Sequence, residues 1–464
     1  MRTCVTRILS VQTKCKMSAA RMQTISKSVF SEAQISGSYG KGRGQGRGDR
    51  GGRRGGGRGR DRDRGQRRPA KDPAPQKIID SPVPNNPTVA IIGGGISGLV
   101  CGKRLSELGI CATVFDTGKH ALGGRMSTRF LLPTQDAVFD HACQFFTATD
   151  PRFQALVDEW LQDGVLEPWT GVVGALDANG CFAEQQTLQA RYVGVGGMRS
   201  LVTSIAEKTK GQGTGASVEG DCWVSRMKLQ NDKWRLWKND DQLGDFDFVV
   251  IAHNGKCANR LLVPSGAPLV AQQMMRLKLS SIWALMVAFP EPINLPFQGA
   301  LVKHSSVLSW IGNNSHRLSL PGTQECYTLF STNAFGKQNK CPQEAVPKAV
   351  DEKVTREMLK AMESVVGISL PKPILTKTQL WGAALPLNTP GTPCIFDAQA
   401  RVGMCGDWLL GSSVQDACLS GMSMADTIRE FCETKSLAAE MSCGLTTPLR
   451  NIEGSTDIGS FPGI

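Results

Sequence analysis

Thr88-Val89-Ala90-Ile91-Ile92-Gly93-Gly94-Gly95-Ile96-Ser97-Gly98 is the stretch on which the fold of this chain depends. Its first five residues are β-branched or apolar, which is typical of a buried parallel strand. The next six fit the pattern G-x-G-x-x-G, and leucines at 99, 105 and 108 then predict a helix that ends at Gly109. A second strand over residues 113–115 leads to Asp116. This order of strand, glycines, helix, strand and acid predicts a Rossmann-type unit that binds a dinucleotide.

Each part of this unit has a physical task. Gly93 permits a tight turn, Gly95 lets the backbone approach a pyrophosphate, and Gly98 lets the helix pack on the strand. Ser97 lies in the first turn of the helix, whose N-terminus attracts phosphate. Asp116 follows Gly93 by 23 residues, where an acid is expected to bind ribose hydroxyls. The alternative interpretation is a glycine-rich surface turn.

The segment Leu122-Gly123-Gly124-Arg125-Met126-Ser127-Thr128 follows almost directly. Its glycines allow the backbone to approach a ligand, and Arg125 offers a fixed cation to phosphate. A surface turn with a solvated arginine is the alternative. The segment resembles the G-G-R motif of the renalase and flavin amine oxidase superfamily. The resemblance implies FAD as the cofactor, with Gly124, Arg125 and Met126 beside it.

Three further segments extend the resemblance to renalase-like oxidoreductases, over about residues 88–433. They are Phe139-Asp140-His141-Ala142-Cys143-Gln144-Phe145-Phe146, Phe246-Asp247-Phe248-Val249-Val250-Ile251-Ala252 and Arg401-Val402-Gly403-Met404-Cys405-Gly406-Asp407-Trp408. The fold class that follows is α/β, with a Rossmann-type FAD-binding domain, an interleaved α+β substrate domain and a disordered basic tail before them. Ala142 and Cys143 stand where the family has Gly and Ala, so substrate identity is not carried over.

The resemblance also implies further site residues. Gly406 and Asp407 are expected at the ribityl chain of the flavin, and a helix that begins near Ser412 and Ser413 at its pyrimidine edge. For Asp407 the alternative is a cap on a strand-to-helix turn. The expected substrate side holds His141, Gln144 and Trp381. A structural histidine and a core tryptophan are the alternatives there.

The function implied is that of a FAD-dependent oxidoreductase. It is expected to oxidise an amine or dihydronicotinamide-type small molecule by hydride transfer to noncovalent FAD, and to pass the electrons to oxygen or another acceptor. Cys405 lies beside the second flavin motif, but renalase-like proteins hold FAD without a covalent bond. No catalytic side chain is assigned, since hydride transfer to a flavin needs no Ser/His/Asp or Cys/His group. The alternative is a protein that binds FAD or RNA without turnover.

Positive charge is confined to the start of the chain. Residues 1–70 hold 18 of the 53 Lys and Arg but only 4 of the 41 Asp and Glu, a balance of +14, whereas residues 71–464 balance at −2. Charge therefore points to nucleic acid only in this tail. Residues 40–68 contain 12 glycines and 11 arginines, and such segments can bind RNA. A solvated linker is the alternative.

These patterns divide the chain into four parts. Residues 1–36 are expected to be a transit peptide for the chloroplast, or alternatively the mitochondrion, because they are basic and rich in hydroxyls and the first acid is Glu32. Residues 37–87 are expected to be a disordered Arg/Gly-rich and then Pro-rich linker. The enzyme spans 88–433, with FAD-binding parts at about 88–145, 196–262 and 374–433 and substrate parts at about 146–195 and 263–373. Residues 434–464 are a C-terminal tail.

The sequence predicts neither a transmembrane helix nor a metal site. No apolar run reaches the ~20 residues that a transmembrane helix needs. The 15 cysteines are irregularly spaced, with no C-x-x-C pair or other metal-ligand pattern. They are expected to be buried, reduced thiols, so no metal site is predicted.

Overall fold

A computed structural model of the chain describes residues 72–452, except 120, 132–135, 178, 186, 211, 212, 214, 321 and 435–439. The strands are β1 (Thr88–Ile92), β2 (Cys111–Phe115), β3 (Thr128–Leu131), β4 (Ala137–Asp140), β5 (Leu166–Trp169), β6 (Val173–Leu176), β7 (Phe182–Glu184), β8 (Arg191–Gly194), β9 (Ser217–Glu219), β10 (Arg226–Gln230), β11 (Lys233–Lys238), β12 (Asp241–Phe246), β13 (Phe248–Ile251), β14 (Ile282–Phe289), β15 (Gly299–Val302), β16 (Leu308–Asn313), β17 (Glu325–Ser331), β18 (Leu375–Trp381), β19 (Asn388–Thr389), β20 (Ile395–Asp397), β21 (Val402–Met404) and β22 (Arg450–Asn451). The helices are α1 (Ile96–Glu107), α2 (Pro151–Gln162), α3 (Arg199–Lys210), α4 (Lys256–Leu262), α5 (Pro268–Arg276), α6 (Asn314–Arg317), α7 (Asn333–Gln338), α8 (Lys348–Val366) and α9 (Val414–Thr434).

A six-stranded sheet contains the predicted dinucleotide unit. Its strand order is β20-β21-β13-β1-β2-β9, and every pair is parallel except β20 with β21. Strand β1 begins and ends where the apolar run predicts, and the left-handed backbone of Gly109 (φ +76°) follows helix α1. The α/β fold with a Rossmann-type domain is confirmed.

A seven-stranded sheet forms the second layer, in the order β18-β14-β17-β16-β15-β6-β7. Its strands pair antiparallel except β6 with β15. Strand β14 lies between β18 and β17, and every one of its residues is buried. Strand β18 pairs with β14 along its whole length, so it belongs to this sheet. The division expected near residue 374 therefore falls after Trp381.

Two helices on one face of the six-stranded sheet touch backbone to backbone. Helix α9 crosses α1 at Gly421, where an added Cβ would lie 2.3 Å from the carbonyl oxygen of Ser97. Only glycine allows this approach. The crossing fixes the N-terminus of α1, which carries Ser97, against the long C-terminal helix of the fold.

The packed chain extends beyond the limits of 88–433 expected for the enzyme. Before β1, the amides of Ala74, Lys77 and Ile79 donate to carbonyl oxygens of the folded body at 2.7–3.0 Å. After α9, residues 440–452 return to pair with β19 and with Phe396. Both segments are held by backbone hydrogen bonds, a feature that composition does not reveal.

Some expectations concern residues that the structure does not describe. The transit peptide and the Arg/Gly-rich segment both lie outside the described residues. Within the described part of the chain, no helix is both long and apolar enough to cross a membrane.

Candidate cofactor and substrate site

A cavity of about 380 Å³ opens at the carboxyl ends of the parallel strands. The residues at or just after the ends of β1, β2, β13 and β21 all line it: Ile92, Phe115, Ala252 and Cys405. In open α/β sheets, ligands bind in the crevice at these strand ends. The volume lies in the range of ~300–1,000 Å³ that is usual for small-molecule sites.

The glycine-rich turn after β1 forms one wall of this cavity. Gly93 has a left-handed backbone (φ +123°), as a tight turn requires. Gly95 has an ordinary backbone (φ −71°), yet none of the described atoms outside its own neighbours lies within 4 Å of where its Cβ would be. Gly124 likewise faces open space. Gly98 does not line the cavity; it packs α1 on the turn, because a Cβ there would lie 2.0 Å from the carbonyl oxygen of Gly93.

Asp116 lies in the lining at the end of β2, and backbone amides fix its carboxylate. One oxygen accepts a hydrogen bond from the amide of Gly94 at 2.9 Å, and the other from the amide of Gly118 at 2.8 Å. Burial raises the pKa of Asp116, and the two amides partly oppose that shift. Each oxygen keeps a further lone pair, so the carboxylate can still accept ribose hydroxyls.

Arg125 and Asp407 form a bidentate ion pair across the cavity. The Nη1 and Nη2 atoms of Arg125 donate to the two carboxylate oxygens of Asp407 at 2.8 Å each, and Nη1 also donates to the carbonyl oxygen of Ala384 at 2.8 Å. Burial lowers the pKa of Arg125, but Asp407 raises it more, so the net pKa is raised. The sequence suggested phosphate for Arg125 and a ribityl hydroxyl or a capping role for Asp407. The structure joins these two side chains to each other.

The N-terminus of α9 completes this part of the site. Ser413 and Val414 line the cavity, as the expected helix start near residues 412–413 requires. The hydroxyl of Ser413 donates to Asp416 at 2.7 Å, and the amide of Asp416 donates back to that hydroxyl at 3.0 Å. This reciprocal pair is a capping arrangement that fixes where the helix begins.

A mainly apolar wall lies beside Arg125. It is formed by Ala142, Cys143, Ile282, Trp381 and Leu385, and the amide of Cys143 donates to the carbonyl oxygen of Arg125 at 3.1 Å. Trp381 and Ile282 are register partners in β18 and β14. The seven-stranded sheet therefore supplies Ile282 and Trp381 of this wall, whereas the six-stranded sheet supplies the glycine-rich turn.

Two expected substrate residues lie behind this wall and do not line the cavity. His141 is almost fully buried (1% exposed), its ring packs 5.3 Å from the ring of Trp381, and its carbonyl oxygen accepts from the Trp381 indole at 3.0 Å. Burial lowers the pKa of His141 to about 3. The side-chain amide of Gln144 donates to the carbonyl oxygen of Asp140 at 2.6 Å. Of the three expected residues, only Trp381 reaches the cavity.

The profile of the family described as "Flavin containing amine oxidoreductase" matches residues 163–429, more than half of the chain, and that of the NAD(P)-binding Rossmann-like domain matches residues 91–160. The chain belongs to the flavin-containing amine oxidoreductase family. It is a FAD-dependent oxidoreductase. FAD is therefore the cofactor that the cavity of this amine oxidoreductase has to accommodate.

Several solved structures share the fold of this chain. One is a protein described as a protoporphyrinogen oxidase from Exiguobacterium sp. 255-15, with 12% identity, coverage of 75% of this chain and 99% of that one, and a TM-score of 0.54. Others are putrescine oxidase bound to putrescine (12% identity, 74% and 99% coverage, TM-score 0.54) and cyclohexylamine oxidase from Brevibacterium oxydans IH-35A (13%, 74% and 99%, 0.54). At these identities the likeness concerns the fold alone.

The cavity of the amine oxidoreductase fits FAD on three observations. The open space at Gly95 is a cradle that a side chain would fill. The hydroxyl of Ser97 is buried and has no hydrogen-bond partner among the described residues. Helix α1 begins at Ile96 with neither a side-chain cap nor an acid in its first turn, so its amides are free to meet phosphate. Asp116, Gly124, Arg125, Met126, Gly406 and Asp407 also line the cavity and would surround the dinucleotide.

The cavity of the amine oxidoreductase is also lined by residues that the sequence did not single out. Cys222, Trp223 and Val224 lie beside Asp116, because the amide of Cys222 donates to its carbonyl oxygen at 2.8 Å. Trp223 is 48% exposed, which is unusual for a tryptophan. His253 and Gln343 also line the cavity from distant parts of the chain. No motif spacing marks these residues.

Proposed function

We propose that this FAD-dependent enzyme oxidises a small, uncharged amine or dihydronicotinamide by hydride transfer to the flavin, as in the renalase-like oxidoreductases that its motifs resemble. The main observation behind this proposal is the apolar wall, formed by Ala142, Cys143, Ile282, Trp381 and Leu385. It shares one cavity with the dinucleotide cradle and offers a flat tryptophan surface. A small molecule with an apolar or aromatic ring is the ligand that such a surface favours.

The titratable groups in the lining favour a donor that arrives without a positive charge. Bound FAD supplies the hydride acceptor, and the protein has to bind and orient the donor carbon. The Asp407 carboxylate is held by Arg125. Burial raises the pKa of the Cys143 thiol to about 12, so this group stays protonated at neutral pH, and lowers that of His253 to about 4, so its imidazole is a weak base. Within the described part of the lining, no unpaired carboxylate stands beside the apolar wall to hold a cation.

An anaerobic reduction screen tests the proposal. The full-length protein, loaded with FAD, is mixed without oxygen with primary amines, secondary amines and dihydronicotinamides, and loss of the oxidised-flavin absorbance is followed. We expect reduction by at least one class. For an amine, the rate should rise with pH through the pKa of the amine itself, because only the neutral form donates hydride; a dihydronicotinamide should show no such rise. Readmission of oxygen then shows whether oxygen or another molecule is the electron acceptor.

A matched pair of tryptophan variants locates the substrate. Trp381→Leu removes the flat surface of the wall and should slow reduction at least tenfold at a fixed substrate concentration, about 1.4 kcal/mol. Trp237→Leu changes a tryptophan of β11, which does not line the cavity, and should leave the rate unchanged. If dithionite bleaches the flavin but none of the amines and dihydronicotinamides does, the proposed substrates are excluded. Equal slowing in both variants would argue against a wall at Trp381.

A further inference from the structure

Two cysteines outside the flavin cavity lie with their thiols in contact. The sulfur atoms of Cys394, which precedes β20, and Cys443, in the C-terminal segment 440–452, are 3.7 Å apart. The backbone holds them there, because Phe396 and Cys443 exchange two hydrogen bonds of 2.9 Å. Formation of a sulfur–sulfur bond of ~2.05 Å would require only a short approach of two side chains.

The surroundings of the two thiols differ, and this difference gives them separate chemical roles. The Sγ atom of Cys394 lies 3.4 Å from the hydroxyl of Thr427 and 3.6 Å from that of Ser423, which donates to it. The hydrogen bond with the Cys443 thiol lowers the pKa of Cys394 to about 6; burial opposes this shift, and the two hydroxyls add to it. The same contact raises the pKa of Cys443. Cys394 is thus the thiolate of the pair, and Cys443 is the protonated partner.

A second cavity lies next to two residues that contact Cys394. It has a volume of about 260 Å³ and is lined by residues of α9, among them Ser423 and Thr427, together with Arg152. Ser423 and Thr427, whose hydroxyls contact the Cys394 sulfur, thus also line this cavity. Cys443 itself is only partly buried.

We propose that Cys394 and Cys443 are a redox-active dithiol that a peroxide oxidises to a disulfide. The Cys394 thiolate attacks one oxygen of hydrogen peroxide, forming a sulfenic acid and releasing hydroxide. The Cys443 thiol then attacks that sulfur, the sulfur–sulfur bond forms, and the second oxygen leaves as water. In total the two thiols lose two electrons and two protons, and one peroxide is reduced to two waters.

The disulfide would tie the C-terminal segment to the frame of the flavin cavity. Residues 440–452 already brace the stretch that follows β18: the amide of Ile452 donates to Leu387 at 3.1 Å, and β22 pairs with β19. That stretch includes Ala384, whose carbonyl oxygen accepts from Arg125. A covalent bond at Cys443 would therefore fasten a segment that supports the wall beside the Arg125–Asp407 pair.

Peptide mapping of the full-length, FAD-loaded protein tests the proposal. The protein is treated with hydrogen peroxide, its free thiols are alkylated, and it is digested with trypsin without reductant. Cys394 falls in the peptide 378–401 and Cys443 in the peptide 436–450, each of which contains one cysteine. We expect these two peptides to be recovered linked, lighter by two hydrogen atoms than their sum, and to separate after treatment with dithiothreitol.

Two variants complete the test. Cys443→Ser should abolish the linked peptides and leave a sulfenic acid at Cys394 that dimedone traps, whereas Cys181→Ser, which removes an exposed cysteine, should leave the linkage unchanged. The proposal is overturned if both peptides stay alkylated at a peroxide dose that oxidises Cys181. It is also overturned if Cys394 is found linked to another cysteine, or over-oxidised without any linkage to Cys443.

Discussion

Gly95 differs from its neighbours because the protein itself does not require a glycine there. Its backbone angles suit any residue, and its Cβ would point into open space. Gly98, three residues later, is required by the fold, because its Cβ would meet the Gly93 carbonyl oxygen at 2.0 Å. Gly95 therefore leaves room for the ligand, whereas Gly98 allows α1 to pack on the glycine-rich turn.

This difference predicts opposite results for two substitutions. Gly95→Val should weaken FAD binding at least tenfold, about 1.4 kcal/mol, because the branched side chain fills the cradle. The unfolding free energy of the apoprotein should change by no more than ~1 kcal/mol, the effect of a poorer helix N-cap. Gly98→Ala should instead destabilise the apoprotein. FAD titration and urea unfolding of both apoproteins check this.

The same preparations show how the cofactor is held. Heat denaturation should release all FAD into the supernatant, as expected for a noncovalent cofactor. Flavin that stays with the precipitated chain would contradict this, and equal FAD affinity in wild type and Gly95→Val would contradict the cradle.

The Arg125–Asp407 pair predicts strong coupling between two distant residues. Asp407→Ala should lower the unfolding free energy by about 1.5–3 kcal/mol, because the guanidinium loses its charged partner. It should also weaken FAD binding, since the carboxylate lines the cavity. Arg125→Ala should cost a similar amount, and the double variant no more than either single one. Urea unfolding of the wild type, the two single variants and the double variant measures the coupling energy between the two side chains. Additive losses of unfolding free energy would show that the pair is not coupled.

His141 predicts a loss of stability in mild acid. Burial, with a contribution from Arg129, lowers its pKa from 6.5 to about 3 in the folded state. Between those values the unfolded chain binds a proton that the folded chain does not, so the unfolding free energy falls as the pH falls. The slope from this group is about 1.4 kcal/mol per pH unit. Unfolding measured between about pH 7 and pH 5 should show a shallower slope in His141→Gln than in wild type. An identical slope would exclude this source.

Among the secondary-structure elements, the sequence predicts those whose contacts are made between residues close together in the chain. Strand β1, helix α1 and strand β2 form one local unit, and their pattern predicts them closely. The register of Ile282 with Trp381 joins strands about 100 residues apart, and the parallel pairing of β6 with β15 is equally remote. Contacts of this kind depend on packing and leave no periodic signal. The same holds for Arg125 and Asp407, which are 282 positions apart.

The crossing of α1 and α9 predicts the cost of adding a side chain at Gly421. A valine there would press on the Ser97 carbonyl oxygen, 2.3 Å from its Cβ, and move the two helices apart. The unfolding free energy should fall by about 1–3 kcal/mol, and FAD affinity should fall as well, because Ser97 and the α1 N-terminus shift. Glu433→Ala, at an exposed position of α9, should cost at most ~0.5 kcal/mol. Urea unfolding and FAD titration compare them; equal losses would contradict the close crossing.

At the scale of the molecule, one buried ion pair helps to hold the walls of the site in place. The carboxylate of Asp140, at the end of β4, accepts from Arg317 of α6 at 2.6 Å, and both side chains are only 1% exposed. The other carboxylate oxygen accepts from the amide of Met198 at 3.0 Å and from the hydroxyl of Thr128. The pair thus connects the hairpin β3–β4 and the start of α3 with α6, which follows β16 of the seven-stranded sheet. Breaking such a buried pair is costly, which favours rigid walls.

The composition of the N-terminal segment predicts where the whole protein resides. Residues 1–36 carry six Lys and Arg and no acid before Glu32, a composition suited to import into an organelle. We predict that residues 1–40 fused to a fluorescent reporter direct it to the chloroplast, with the mitochondrion as the alternative. A matched fusion with these six basic residues changed to glutamine should stay in the cytosol, because the charge that import receptors and membrane potential act on is gone. Microscopy with markers for both organelles distinguishes the outcomes, and cytosolic fluorescence from the unaltered fusion would refute the prediction.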